Sequence, residues 1–215
     1  MTESNQNGVR PTVFVVDDDE AVRDSLTFLM QSVHLDVEAF SSPAHFLEQY
    51  DPERPGCLVL DLRMPEMGGI EVFRALRRRG GTPVLFITAH GSVPVAVQAI
   101  QDGAVDFLEK PVNQQVLIDR ILHAVGIDAH ARENQVERRE ILDRYQSLTE
   151  RERAVFERVV AGDANKIIAD HLAISPKTVE THRARVMQKM QSESLAELVR
   201  LAVQAGLIGE NPESN

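Results

Sequence analysis

Five short apolar runs alternate with amphipathic stretches through the first half of the chain, and then the alternation stops. The runs are Val13–Val16, Val37–Phe40, Leu58–Leu60, Val84–Ile87 and Val105–Leu108. Three of them are almost unbroken, which suits strands covered on both faces. Between them, Val22, Leu26, Leu29, Met30 and Val33 recur at helical spacing. Further on, Ile70, Phe73 and Leu76 turn one way and Arg74 and Arg77 to Arg79 the other. Strand and helix repeated five times predict an α/β fold, an open, doubly wound (βα)5 parallel sheet with helices on both sides. From Leu148 onward no strand pattern remains. Four short helices are expected there, at roughly 149–161, 164–172, 176–190 and 194–205, forming a second, all-α domain.

The helix boundaries carry their own signals. Thr149 with Glu152 makes a capping box, and Gly162 stops the helix that follows. Ser175 and Pro176 supply an N-cap and a first-turn proline, and Ser194 caps the last helix. Residues 128–147 are dense in interspersed charge and free of glycine and proline, so they read as a mostly helical linker. The expected layout is a disordered 1–11, a first domain at 12–127, the linker at 128–147, a second domain at 148–207 and a polar tail at 208–215.

At 215 residues with 43% hydrophobic content, the chain has material for two packed cores. Its single cysteine, Cys57, excludes an internal disulfide. With no hydrophobic signal core and no apolar run near membrane length, a reducing, cytoplasmic setting is expected. Net charge is −10, which disfavours a nucleic-acid partner until the charge is divided. Residues 1–127 carry 10 basic and 18 acidic side chains, whereas Pro176–Gln191 sets Lys177, Arg183, Arg185 and Lys189 against Glu180 alone. Local charge governs DNA binding, and here it is positive.

In an open parallel sheet, chemistry gathers beyond the carboxyl ends of the strands. Those ends present Asp17, Asp18 and Asp19 after the first, Asp61 after the third, Thr88 after the fourth, and Lys110 with Pro111 after the fifth. Packed carboxylates repel one another unless a divalent cation and a lysine neutralise them. Oxygen-only ligands suit Mg²⁺ (or Mn²⁺). A carboxylate beside such a metal is a competent nucleophile toward phosphorus. The set is complete with Asp17 and Asp18 as metal ligands, Asp61 as acceptor, and Thr88 and Lys110 as phosphoryl binders. Three consecutive aspartates leave the pair Asp18 and Asp19 open as an alternative. Asp17 and Asp18 are preferred because Asp17 directly follows the apolar run, which leaves Asp19 to cap the first helix.

Residues Thr12 to Gly126 resemble the receiver domain of bacterial response regulators, a flavodoxin-like fold. The resemblance rests on Val15-Val16-Asp17-Asp18, Asp61-Leu62-Arg63-Met64-Pro65 with Gly68-Gly69, Ile87-Thr88-Ala89, and Phe107-Leu108-Glu109-Lys110-Pro111. It implies Asp61 as phosphoacceptor, with Mg²⁺ held by Asp17, Asp18, Asp61 and the main-chain carbonyl of Arg63. It also implies a cis peptide before Pro111, a sensor histidine kinase as phosphodonor, and Thr88 and Phe107 as switch residues. By the same resemblance, Arg63 and His90 influence dephosphorylation. The charge and acceptors that phosphorylation adds are expected to shift the surface at about Ser92 to Leu108, which then either pairs the first domain with a second copy or releases the second domain.

Within Pro176–Gln191, Val179, Val186 and Met190 form one stripe, and Lys177, Glu180, Thr181, Ala184, Arg185 and Gln188 lie opposite. A preceding amphipathic segment and the short turn Ala173-Ile174-Ser175 complete a helix-turn-helix. Residues 148–207 resemble the LuxR/NarL DNA-binding domain, on Leu148-Thr149-Glu150-Arg151-Glu152, Asn165-Lys166 with Ile168-Ala169, and Ser175 through Arg183. The two halves together look like the FixJ branch. Glu180, Thr181 and Ala184 are expected at base edges. Lys166, Lys177, Thr178, Arg183, Arg185 and Lys189 are expected at phosphates, and His182 is read as packed under the helix. The resemblance makes the last helix, through Leu195, Leu198, Val199 and Ala202, a pairing surface for a homodimer formed on phosphorylation or on DNA. RNA polymerase is a further expected partner. The expected function is therefore transcriptional control by phosphorylation, not dedicated catalysis.

Two other readings of the same residues fit less well. A phosphohydrolase of the haloacid dehalogenase type would want a second aspartate two residues after the nucleophile, where this chain has Arg63. An output domain for protein or RNA is disfavoured by the basic helix and its turn.

Overall fold

The computed structural model describes residues 10–89 and 91–208. The expectations for residues 1–9, His90 and 209–215 lie outside the described residues. The chain divides into two compact units after Arg132.

In the first unit, strands β1 (Thr12–Val16), β2 (Asp36–Phe40), β3 (Gly56–Asp61), β4 (Val84–Thr88) and β5 (Asp106–Glu109) form one sheet in the order β2-β1-β3-β4-β5. Every pairing is parallel. Helices α1 (Glu20–Ser32), α2 (Pro43–Gln49), α3 (Gly69–Arg77) and α4 (Val93–Gln101) connect the strands, and α5 (Gln114–Gln146) follows the last. The two-residue period of the strands sorts the core into two layers. Val13, Val15, Cys57, Val59, Leu85 and Ile87 pack with α1 and α5. Phe14, Val16, Leu58, Leu60, Val84 and Phe86 pack with α2, α3 and α4. Cys57, wholly buried in β3, has its thiol pushed up to about 12, chiefly by that burial and then by the charge of Asp128.

Close backbone packing at the opposite end of the sheet from the strand carboxyl ends explains Gly56. Its φ is +147°, and a Cβ there would sit 1.8 Å from the carbonyl oxygen of Thr12. Its N–H donates at 2.9 Å to the buried Asp128. The same carboxylate accepts from Arg132 at 2.8 Å, and that guanidinium also serves the carbonyls of Pro52, Glu53 and Arg54.

The second unit contains the end of α5 and helices α6 (Glu150–Val160), α7 (Asn165–Leu172), α8 (Pro176–Met190) and α9 (Leu195–Ala205). The four helices match the expected set to within a residue or two; α6, α8 and α9 begin at explicit side-chain caps, whereas α7 follows Ala164, which makes no side-chain cap bond. Thr149 and Glu152 form the capping box, and Ser175 and Ser194 accept from the third residue of their helices. Gly162, at φ +90°, follows the end of α6. The helical stretch 128–147 behaves as more than a spacer, since Asp128 is bonded into the first unit and Ile141 lies in the second core at 3% exposure.

Candidate functional site

The strand order reverses between β1 and β3, which opens a crevice at their carboxyl ends. Asp17 directly follows β1 and Asp61 ends β3; both are buried. Lys110, after β5, donates to Asp17 Oδ2 at 2.6 Å and to Asp61 Oδ1 at 2.9 Å. The Lys110–Pro111 peptide is cis. Burial raises the Asp17 pKa against the opposing pull of Lys110. Lys110 is itself raised: burial disfavours its charge, but bonds and attraction to Asp17 and Asp61 outweigh that cost.

The three aspartates have different surroundings. Asp17 is buried and Asp18 is exposed. Asp19 is the N-cap of α1, accepting from the Ala21 and Val22 amides. Its own N–H donates to Asp17 Oδ1 at 3.0 Å. Asp61 Oδ2 accepts from the Arg63 N–H at 2.6 Å. Thr88 is buried at the end of β4. A Cβ added to Gly91 would lie 2.8 Å from the Phe107 ring and 3.3 Å from the Thr88 methyl, so Thr88 and Phe107 flank one small space. Phe107 is half-buried against Phe86.

Gly69, part of the Gly68-Gly69 motif that carries the resemblance, and Arg23 each have a role in this crevice that the sequence pattern does not announce. A Cβ on Gly69 would come 2.2 Å from the Asp61 carbonyl, so the loop after the acidic residue closes only over a glycine. Arg23 in α1 donates to the main-chain carbonyl of Asp17 at 2.9 Å. Neither follows from helical or strand periodicity.

Among the described residues, no group of three or more His, Cys, Asp or Glu side chains is gathered closely enough to hold a metal alone. Mg²⁺ does not require such a group, because it commonly keeps several waters and binds through one or two carboxylates. Asp17 and Asp61 already turn one oxygen each toward a single positive charge, the Lys110 ammonium. This oxygen-only donor set fits that ion.

In the second unit, α7 and α8 are joined by residues 173–175, with Ala173 in the left-handed conformation. Val179, Val186 and Met190 are buried, while Lys177, Glu180, Thr181, Ala184, Arg185 and Gln188 are exposed. Lys166 is exposed on α7. Arg183 donates to Asn165 Oδ1 at 2.9 Å, linking the two helices, and Thr178 shares a hydroxyl contact with the cap Ser175. His182 Nδ1 is buried.

Two expectations need correction. Lys189 is half-exposed but not a free cation; its ammonium is held 2.7 Å from the buried Glu152 and 3.0 Å from the Ser147 carbonyl. Leu198 and Ala202 are fully buried in the second core and cannot meet a second copy without unfolding. On α9, Leu195 and Val203 stay exposed, at 44% and 57%, with Val199 partly buried between them.

Comparison with known proteins gives two family matches: a response regulator receiver domain over residues 13–122, and the luxR family of bacterial regulatory proteins over 146–202. The transcriptional regulatory protein FixJ of Azorhizobium caulinodans is 46% identical over 91% of this chain and 93% of its own length. The tetrathionate response regulatory protein TtrR of Salmonella typhimurium is 44% identical over 88% of this chain and 90% of its own. Among solved structures, the response regulator StyR superimposes with a TM-score of 0.79 at 43% identity, covering 91% of this chain and 100% of that one. Full-length FixJ from B. japonicum gives 0.56 at 42% identity, covering 94% and 100%.

Proposed function

Because the chain belongs to the two-component transcriptional response regulators, with a receiver domain followed by a LuxR-type DNA-binding domain, we propose that Asp61 is its phosphoacceptor and that α8 is its DNA-reading helix. The observation that carries the first half is the convergence of Asp17 and Asp61 on Lys110 at the switch point of the sheet. We assign the receiver role to 12–127, DNA binding to 148–207, and the connection to 128–147.

An Asp61 carboxylate oxygen attacks the phosphorus of a phosphohistidine on the sensor kinase. A P–O bond forms, the P–N bond breaks, and the imidazole leaves with a proton. Asp17, Asp18, Asp61 and the Arg63 carbonyl would hold Mg²⁺, which when bound draws charge from the phosphoryl oxygens. Lys110 exchanges its bond to Asp61 for one to a phosphoryl oxygen, and the Thr88 hydroxyl binds another. Asp19, committed to the α1 cap, stays outside this set. Movement of Thr88 toward the phosphoryl group vacates space that the Phe107 ring adjoins, a contact route from the site to the surface of α4 and β5.

On DNA, Glu180, Thr181 and Ala184 meet base edges. Lys166, Lys177, Thr178, Arg183 and Arg185 meet phosphates, and Lys189 is left out because Glu152 occupies it. Pairing of two copies is carried by the apolar stripe Leu195, Val199 and Val203, at i, i+4 and i+8. RNA polymerase is a partner at the promoter. The site requires a cytoplasmic kinase domain and DNA, and among the described residues no helix is long and apolar enough to cross a membrane.

The test is phosphorylation with acetyl phosphate and Mg²⁺, read by intact mass and then by oligomeric state. One phosphoryl adduct in the wild type, absent from Asp61→Asn, supports the assignment. An adduct that survives Asp61→Asn overturns it.

A further inference from the structure

The carbonyl of Asp17 is the first main-chain acceptor beyond the paired part of β1, whose ladders to β2 and β3 both end at Val16. It belongs to the peptide that joins Asp17 to Asp18. A strand-end carbonyl next to a buried carboxylate needs a donor, and the neighbouring strands no longer supply one. Arg23 supplies it from the first turns of α1, reaching back six residues with Nη1 at 2.9 Å. Three aspartates precede this arginine, yet among the described residues its guanidinium makes no ion pair and is aimed at a neutral oxygen.

We propose that Arg23 is a positioning residue of the phosphorylation site: it fixes the peptide plane from which the Asp17 and Asp18 carboxylates hang. The inference rests on the reading of those two residues as Mg²⁺ ligands. The turn is held from three directions. The Asp17 N–H donates to the Phe40 carbonyl, the Asp19 N–H closes onto Asp17 Oδ1, and Arg23 takes the carbonyl between them. The first two bonds leave the Asp17–Asp18 peptide free to rotate about its flanking torsions. The third removes that freedom, so that Asp18, exposed and otherwise loosely held, keeps its place beside the buried Asp17.

Positioning and charge pull in opposite directions here, which makes the proposal easy to break. As a bare positive charge near the pocket, Arg23 would repel a divalent cation, and its removal would tighten Mg²⁺ binding. As a positioning group it helps, and its loss weakens binding, by roughly 10-fold on the scale of other groups that orient metal ligands. Lysine keeps the charge and can still donate one hydrogen bond to the Asp17 carbonyl, but lacks the rigid fork, so part of the positioning survives and it should fall between arginine and a neutral residue.

The experiment is Mg²⁺ titration by calorimetry on the full chain without phosphodonor, for wild type, Arg23→Met and Arg23→Lys, with a denaturant midpoint for each. Weakening of about tenfold in Arg23→Met, less in Arg23→Lys, with midpoints close to wild type, supports the proposal. Unchanged or tighter binding in a folded variant overturns it, as does weakening that tracks only a fall in the midpoint. If Arg23→Met does not fold, a folded Arg23→Lys with wild-type affinity is equally fatal. A wild-type protein that takes no Mg²⁺ would sink the reading of the pocket itself, whereas normal wild-type binding with unaltered variants would sink this proposal alone.

Discussion

Lys189 Nζ stands 2.7 Å from Glu152 Oε2, and the same carboxylate oxygen accepts the Thr149 N–H at 2.9 Å. One side chain thus closes the cap of α6 and ties α8 to it. Lys189 and then the Thr149 N–H hold the Glu152 carboxyl down at about 2, against an ordinary value of 4.5. A depressed carboxyl stabilises the fold fully above its unfolded value and stops doing so as pH falls through the folded one. Glu152→Gln should therefore destabilise the second unit at neutral pH by about 2 kcal/mol, the scale of a charge-assisted bond with one half-exposed partner. The gap to wild type should close between about pH 4.5 and 2. Denaturant titrations of residues 133–215 at several pH values measure it, and a gap independent of pH would contradict the account.

Ile141 should behave as a core residue although it lies in a stretch that reads as a charged connector. At 3% exposure it packs into the second core with Leu148 and Val155. Ile141→Ala should cost about 2–4 kcal/mol of unfolding free energy, as for other buried large-to-small changes. A fragment beginning at Leu148 should be less stable than one beginning at Glu133 by at least as much. Thermal unfolding of the two fragments decides this, and equal midpoints would show that the helix end contributes nothing.

What the sequence could and could not convey follows from range. Strand ends were readable because an apolar run announces the strand and the next residue must emerge at its edge; Asp17, Asp61 and Lys110 needed no more than that to be brought together. Caps were readable because Thr149 and Ser175 act over three residues. Helical spacing tells which residues share a face but not which face is covered, so it groups Leu198 and Ala202 with Leu195 and Val199 although the first two are buried. Charge on a helix conveys nothing of a partner 37 residues away, as Lys189 and Glu152 demonstrate. Arg23 acts on a backbone oxygen, which has no letter in the sequence.

Gly69→Ala should damage phosphorylation more than overall stability. The added methyl would lie 2.2 Å from the Asp61 carbonyl, so the loop or the end of β3 must shift. The expected result is a several-fold slower acetyl phosphate reaction at saturating Mg²⁺ with a cooperative unfolding transition retained. A rate equal to wild type would mean that the loop relaxes without moving Asp61.

Lys177→Ala should lower DNA affinity evenly across sequences and reduce the slope of log affinity against log salt by roughly 1, the signature of one lost phosphate contact. Glu180→Ala should instead change sequence preference, with little effect on that slope beyond its ion pair to Lys177 at 3.2 Å. Mobility shifts at several salt concentrations on specific and scrambled duplexes separate the two. A Lys177→Ala variant with unchanged slope would remove it from the phosphate set.

Cys57 supplies a reporter that no engineering is needed to install. The chain has one thiol, sealed between sheet and helices and held protonated well above neutral pH. An alkylating reagent can therefore reach it only when the first unit opens, and the second unit has no thiol to confuse the record. The labelling rate becomes a clock for receiver breathing inside the intact protein. Comparing that clock before and after acetyl phosphate would tell whether the phosphoryl group stiffens the domain that carries it.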